Sequence, residues 1–337
     1  MTLTPFRRST PLTPRRLVTV LAVLALLLVL TAIAGISIGS VPISPEHVVA
    51  ALTGSDAASP AEQTIVMSIR LPRLLLAMIV GAGLSVAGLV FQALLRNPLA
   101  EPYILGISSG GTVGTLIALA LGLGAFAVPA ASFAGSALVM LLVYSLAQRR
   151  GVMDSNALLM AGVMIGAFFN AVVLLIIAIS NQELRNAFLW LMGNLSGAGS
   201  ENLAIAGPLI VLSCAILLLF ARSYNLIATG DETALQLGVN VRTIRRASYV
   251  LASLITGLAV SVSGVVGFVG LIIPHLCRMI LGPDHRLLLP ASFLAGGIFL
   301  ALADLAARTM LAPAEIPVGA ITAAIGAPVF ISLLRRS

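Results

Sequence analysis

The side chains able to do ionic or metal chemistry in this chain are few, and their spacing excludes most of it. The three histidines, His47, His275 and His285, each lack a second metal ligand four residues away, so no helical pair can hold an ion. Cys214 and Cys277 both lie in apolar stretches, which suits neither a disulfide framework nor a metal site. The stretch GISSGG places Ser108 beside glycines. It does not match the G-x-S-G of an intramembrane serine protease, and no histidine partner is evident. All 19 basic residues are arginine. Without a lysine the chain cannot carry a phosphate loop of the usual kind. Any energy drawn from ATP must come through a second polypeptide. The acids lie in or near loops, with Asp304 spaced to pair with Arg308 at i,i+4. That pattern lacks the mid-membrane carboxylates of ion-coupled carriers.

What remains is arginine placement. The stretch IRLPR at residues 69–73 sets Arg70 and Arg73 against a long apolar run. The chain is 59% hydrophobic and 9% charged, with mean hydropathy +1.10, against about 25% charged in soluble domains. It therefore reads as an all-α, multi-pass membrane protein. The pI of about 10.6 does not indicate nucleic acid, because the arginines are dispersed over loops between apolar runs.

The elements that must position these arginines follow from length. A spanning helix needs about 20 mostly apolar residues. Clear runs cover residues 17–38, 74–95, 157–180, 203–221, 287–305 and 316–334. The first exceeds the apolar core of a signal peptide and is read as a retained helix. Residues 105–147 contain ALGLGAFAVPA, whose Gly/Pro punctuation divides them into two spans. Residues 249–281 would make a helix of about 50 Å at about 1.5 Å per residue, too long for one crossing. With Gly264, Gly267, Gly270 and Pro274 inside it, this segment reads as one full span followed by a short broken one. The expectation is ten transmembrane helices spanning residues 17–334, with cytoplasmic tails at 1–16 and 335–337. That count puts 15 of the 19 arginines on the cytoplasmic side, as the positive-inside rule demands. Arg70, Arg73, Arg185 and Arg308 fall outside. For Arg70 and Arg73 the alternatives are anchoring at a helix end or docking of an acidic partner.

Two loops have more structure than a connection needs. The external segment 39–68 has a turn-then-helix pattern in PISPEHVV. The cytoplasmic segment 222–246 predicts two short helices. Thr229 or Asp231 caps the first over residues 232–237, Gly238 ends it in the left-handed conformation, and Asn240 caps the second. They are read either as interfacial helices or as a docking element. Gly106, Gly110, Gly111 and Gly114 predict close helix packing. LSVAGLV at 84–90 and VSVSGVV at 260–266 form a faint echo consistent with an inverted repeat.

These stretches resemble the FecCD/BtuC family of ABC importer permeases. The matching segments include IRLPR, GAGLSVAGLVFQALLRNPLAEPYILGISSGG, DETALQLGV, GFVGLIIPHLCRMILGPDHRLLLPASFLAGG, LADLAAR and AEIPVGAITAAIGAPVFISLL. The likeness runs from about Val41 to the C-terminus. It implies a BtuC-like (type II importer) fold of ten helices, a homodimer, two cytoplasmic ATP-binding subunits, and a periplasmic or lipid-anchored substrate-binding protein. ATP would be used by the partner, with no cofactor on this chain. It also implies that Arg70, Arg73 and Arg308 dock the binding protein. Thr229, Gly230, Asp231, Glu232, Ala234, Leu235, Leu237, Gly238, Val239 and Asn240, flanked by Arg242, Arg245 and Arg246, would meet the ATPase. Asp154, Ser155 and Asn156 fall where the family narrows its cytoplasmic gate, although a capped helix start explains them equally. The implied cargo is an iron chelate (siderophore or haem), with cobalamin as the alternative. A stand-alone carrier or channel is the reading of another class.

Overall fold

The computed structural model describes residues 12–334 apart from 40, 56, 125, 150–151, 180–191, 197–199 and 313. Arg185, residues 335–337 and most of the first tail lie outside the described residues.

Helix α1 is Pro14–Ser37, started by Thr13, whose hydroxyl accepts from the Arg16 amide. Helix α2, Pro45–Thr53, is capped by Ser44, and Gly54 ends it in the left-handed conformation. α3, Pro60–Thr64, opens on a capping box of Ser59 and Glu62. It runs through a widened π turn, Ile65–Arg70, into α4, Leu71–Leu95. The wide turn comes immediately before Pro72, whose ring has no N–H for the helix ladder. A 3₁₀ turn, Pro102–Leu105, leads to α5, Ile107–Ala120, and α6, Ala127–Ala147. Two-residue strands Gln148–Arg149 and Val152–Met153 pair antiparallel before α7, Ser155–Ile179. Then follow α8, Ser200–Leu219; α9, Ala221–Ala228; α10, Asp231–Gln236; α11, Val241–Ser263; α12, Val269–Leu281; α13, His285–Thr309; and α14, Val318–Leu334.

Among the described residues seven helices are long and apolar enough to cross a membrane: α1, α3–α4 as one unit, α6, α7, α8, α11 and α13. Three shorter apolar helices, α5, α12 and the stretch Val318–Ser332 of α14, occupy the other runs expected from the sequence.

α4 lies at the centre, packed against α13, α11, α12 and α8. Residues 80–92 are buried without interruption, as a helix apolar on every side must be. Two glycine contacts set its neighbours' distance. A Cβ on Gly81 would strike the Gly296 carbonyl of α13, and one on Gly88 the Gly270 carbonyl of α12. The expected glycine face of α5 is used in the same way. Gly110 and Gly114 lie against the backbone of Gly135 and Ala131 in α6.

Three expectations change. The second element of segment 222–246 is not a short helix. Asn240 caps it, accepting from the Thr243 amide at 3.1 Å, but nothing breaks the chain afterwards, so it continues as α11. An additional helix, α9, precedes it. The break in residues 249–281 is confined to 264–268, with a positive φ at Gly264 and left-handed backbone at Phe268. Pro274 lies inside α12. The helix tolerates it because the Gln92 side-chain amide donates to the Gly270 carbonyl at 3.3 Å, the acceptor that a proline cannot serve. Finally, the sequence echo is not a structural one. Residues 84–90 are continuous helix, whereas 260–266 contain the end of one.

Candidate docking, coupling and gating sites

At one end of the bundle, the arginines of α4 and α13 turn inward. Arg70 is 4% exposed and Arg73 and Arg308 are each 8% exposed. Arg70 donates to the carbonyls of Ile36 at 2.6 Å, Ser37 at 3.0 Å and Val41, holding the end of α1. Arg73 lies between two carboxylates. Its Nε donates to Asp304 at 2.9 Å, and its Nη1 to both oxygens of Glu315 at 3.0 and 2.9 Å. Arg308 donates to the Gly35 carbonyl and approaches Asp304 at 3.5 Å, the expected i,i+4 pair. The simple picture of side chains reaching outward to anchor at an interface does not hold for Arg70 and Arg73. A buried cation needs acceptors, and the ends of α1 and α13 supply them. Asp304 is likewise not a loop acid. It is 1% exposed within α13, compensated by two guanidinium groups.

At the other end, α10 is held on one face and exposed on the other. Its N-cap is Gly230, not Thr229 or Asp231. The Thr229 hydroxyl donates to the Leu226 carbonyl, and Asp231 is committed elsewhere. It accepts from Arg96, at the end of α4, at 2.5 Å and from Arg245 of α11 at 3.0 Å. Ala234 is fully buried against Ile227 and Val241. On the far side Leu235 and Leu237 are 57% and 61% exposed, with Glu232, Gly238, Asn240 and Arg242 also exposed. Gly238 adopts the left-handed conformation expected of it, at φ 84°. The result is a short helix clamped from beneath with leucines facing outward.

Asp154, Ser155 and Asn156 start α7. Asp154 accepts from the Ala157 amide at 2.7 Å, and the Ser155 hydroxyl donates to the Leu94 carbonyl of α4 at 3.0 Å. The helix-capping explanation is therefore realised, and Ser155 ties this start to the end of α4. Asn156 is exposed on the same turn.

A fourth set of residues was not singled out from the sequence. The break between α11 and α12 is held by Glu101, which accepts from the Phe268 amide at 2.6 Å, and by Tyr103, whose hydroxyl accepts from the Val266 amide at 3.2 Å. Burial raises the Glu101 carboxyl, partly offset by that amide, and raises the Tyr103 phenol. Glu101 reads as part of a turn in NPLAEP. The signal was a lone carboxylate entering an apolar segment. Gln92, a lone buried amide in the last turn of α4, gave a similar hint. Besides serving Gly270 it accepts from Arg278 at 3.0 Å. Beside α9, Asp284 caps α13 and accepts from Arg286 at 2.6 Å and from Asn225 at 2.7 Å. These bonds, the Arg286 contact first, lower its carboxyl to about 2. Among the described residues no group of three or more His, Cys, Asp or Glu could hold a metal ion.

Residues 26–336 match the model of the FecCD transport family. The chain is 44% identical over 274 residues to the cobalamin import system permease protein BtuC of Halobacterium salinarum, covering 81% of this chain and 74% of that one. It is also 44% identical over 277 residues to the hemin transport system permease protein HmuU of Yersinia pestis, covering 80% and 83%. Its backbone superposes with TM-score 0.85 and 33% identity on a solved inward-facing metal-chelate type ABC transporter, over 95% of this chain and 99% of the other.

Proposed function

The chain belongs to the FecCD transport family, and from that premise we propose that it is the membrane subunit of an importer that moves a metal chelate inward. Two copies, each crossing the membrane ten times with both termini cytoplasmic, would enclose the pathway. Two separate ATP-binding subunits would supply the energy, and a periplasmic or lipid-anchored binding protein the cargo. The observation that carries this reading is α10. Leu235 and Leu237 expose apolar surface that a lone cytoplasmic loop has no reason to present. Asp231 ties that surface to α4 and α11 through Arg96 and Arg245. A carrier working alone needs no such element.

The mechanism we infer is alternating access. A partner seated on Leu235 and Leu237 pushes on α10, and the Asp231 pairs pass the displacement to α4 and α11. Asp154, Ser155 and Asn156 sit beside the end of α4 and would form the cytoplasmic gate. The external end built on Arg70, Arg73 and Arg308 would receive the binding protein. The proposed cargo is a ferric siderophore or haem. Cobalamin is a second reading, favoured because the cobalamin and hemin permeases are equally similar to this chain.

Replacing Leu235 and Leu237 together by Glu tests the proposal. Both side chains are exposed, so the fold should change by no more than about 0.5 kcal/mol. Co-purification with the ATP-binding subunit, and nucleotide-dependent uptake in vesicles, should be lost. Retention of both, or uptake by this chain alone without nucleotide, would refute the assignment.

A further inference from the structure

The arginine cluster contains its own competitor for an acidic partner. Arg73 and Arg308 meet two carboxylates, Asp304 and Glu315, while Arg70 is held by carbonyls alone, so the cluster keeps one positive charge in excess. The carboxylates are not equivalent. The Asp304 side chain is 2% exposed, whereas that of Glu315 is 47% exposed. Arg73 itself is nearly closed off, with its Nε turned inward to Asp304 and its Nη1 covered by both oxygens of Glu315. An external carboxylate that takes over Nη1 of Arg73 must therefore displace Glu315. Glu315 is also free to leave. It lies between α13 and α14, outside any helix, and its neighbour Ile316 is held by one amide bond to the Ala307 carbonyl at 3.0 Å. The incoming group has the same chemistry as the one it replaces, a carboxylate accepting from Nη1 of Arg73, so exchange preserves the compensation of a buried cation that simple loss would not.

We propose that Glu315 is a placeholder. It satisfies Arg73 while the site is empty, and an acidic residue of an arriving protein displaces it. This rests on the docking role given above to Arg70, Arg73 and Arg308. It adds that docking releases the segment carrying Glu315, so that arrival outside is registered at the ends of α13 and α14. The price is a weaker resting affinity, because each partner carboxylate must first expel an internal one.

The test uses the full chain in zwitterionic nanodiscs with a short oligoglutamate peptide as probe and oligoserine as control. Glu315→Gln should bind oligoglutamate about tenfold more tightly than the wild type, the scale of one interfacial charge pair. Glu315→Asp, which keeps the charge, should stay at the wild-type affinity. In the wild type, amide exchange at Ile316 should rise when oligoglutamate is added. Equal affinity of Glu315→Gln and wild type, or an unchanged Ile316 amide while the peptide binds, overturns the exchange and leaves the docking role standing. Failure of every form to prefer oligoglutamate over oligoserine overturns both.

Discussion

Asp231 meets Arg96 at 2.5 Å across 135 positions of sequence. The pair joins α10 to the end of α4, and Arg245 closes it from the α11 side at 3.0 Å. Arg96 has left-handed backbone at φ 49°, an uncommon state for a residue with a Cβ, and in that state its side chain also reaches the Ile227 carbonyl at 3.3 Å.

Asp231→Asn separates a structural contribution from a coupling one. Asp231 is over a third exposed in both its pairs, with Arg96 and with Arg245, so losing the two should cost no more than about 2 kcal/mol of stability. Melting in detergent should fall only modestly. Substrate-stimulated ATP hydrolysis by the assembled transporter should fall severalfold, while basal hydrolysis by the ATP-binding subunit stays. Equal stimulation in mutant and wild type would mean that α10 transmits nothing through this contact.

Asp304→Asn attacks the other end. It leaves Arg73 and Arg308 buried with half their compensation, and breaking a buried ion pair on one side costs about 3–5 kcal/mol. The variant should melt well below the wild type. The double change Asp304→Asn with Arg308→Gln should recover part of the loss, because two of the interacting charges are then gone. No recovery would show that Arg308 is compensated chiefly by the Gly35 carbonyl.

Gly88→Ala probes the tightest approach in the bundle. The new methyl would overlap the Gly270 carbonyl, so α4 and α12 must separate. Overpacking of this kind costs about 1–3 kcal/mol. A matched Gly→Ala change at Gly124, where a Cβ meets nothing within 4 Å, should be neutral. Comparison of the two melting temperatures is the check.

Asp284 predicts an acid limb. Its carboxyl is lowered from 3.8 to about 2, so its contribution is fully present above the ordinary value and is lost as pH falls through about 2. Wild-type stability should decline over that window, and Asp284→Asn should be flatter there while starting lower at neutral pH. Parallel curves would assign the acid limb to other groups.

Each of the ten runs expected from the sequence carries a helix, because apolar length and Gly/Pro punctuation are local properties. The capping role of Asn240 and the turn at Gly238 were equally visible, since both are decided within four residues. The course of α11 was not. Its first two turns carry Arg242, Arg245 and Arg246, and polarity alone hid the fact that nothing stops the helix. The inward direction of Arg70, Arg73 and Arg308 was also hidden. Sequence places a charge at a helix end, but only tertiary contact shows that the carbonyls of α1 and the carboxylates of Asp304 and Glu315 are there to receive it. Gln92 and Glu101 escaped for the same reason. Their partners, Gly270 and Phe268, lie more than 160 positions away and are backbone groups that leave no trace in side-chain pattern.

The two glycine saddles on α4 have a mechanical result. At 25 residues and about 1.5 Å each, this helix is a rod of about 38 Å, seated on α13 at Gly81 and on α12 at Gly88. It has Arg73 near one tip and Arg96 just past the other. A rod seated at two points cannot pivot about either one, so any axial shift of the Arg73 tip has to be carried whole to the Arg96 tip.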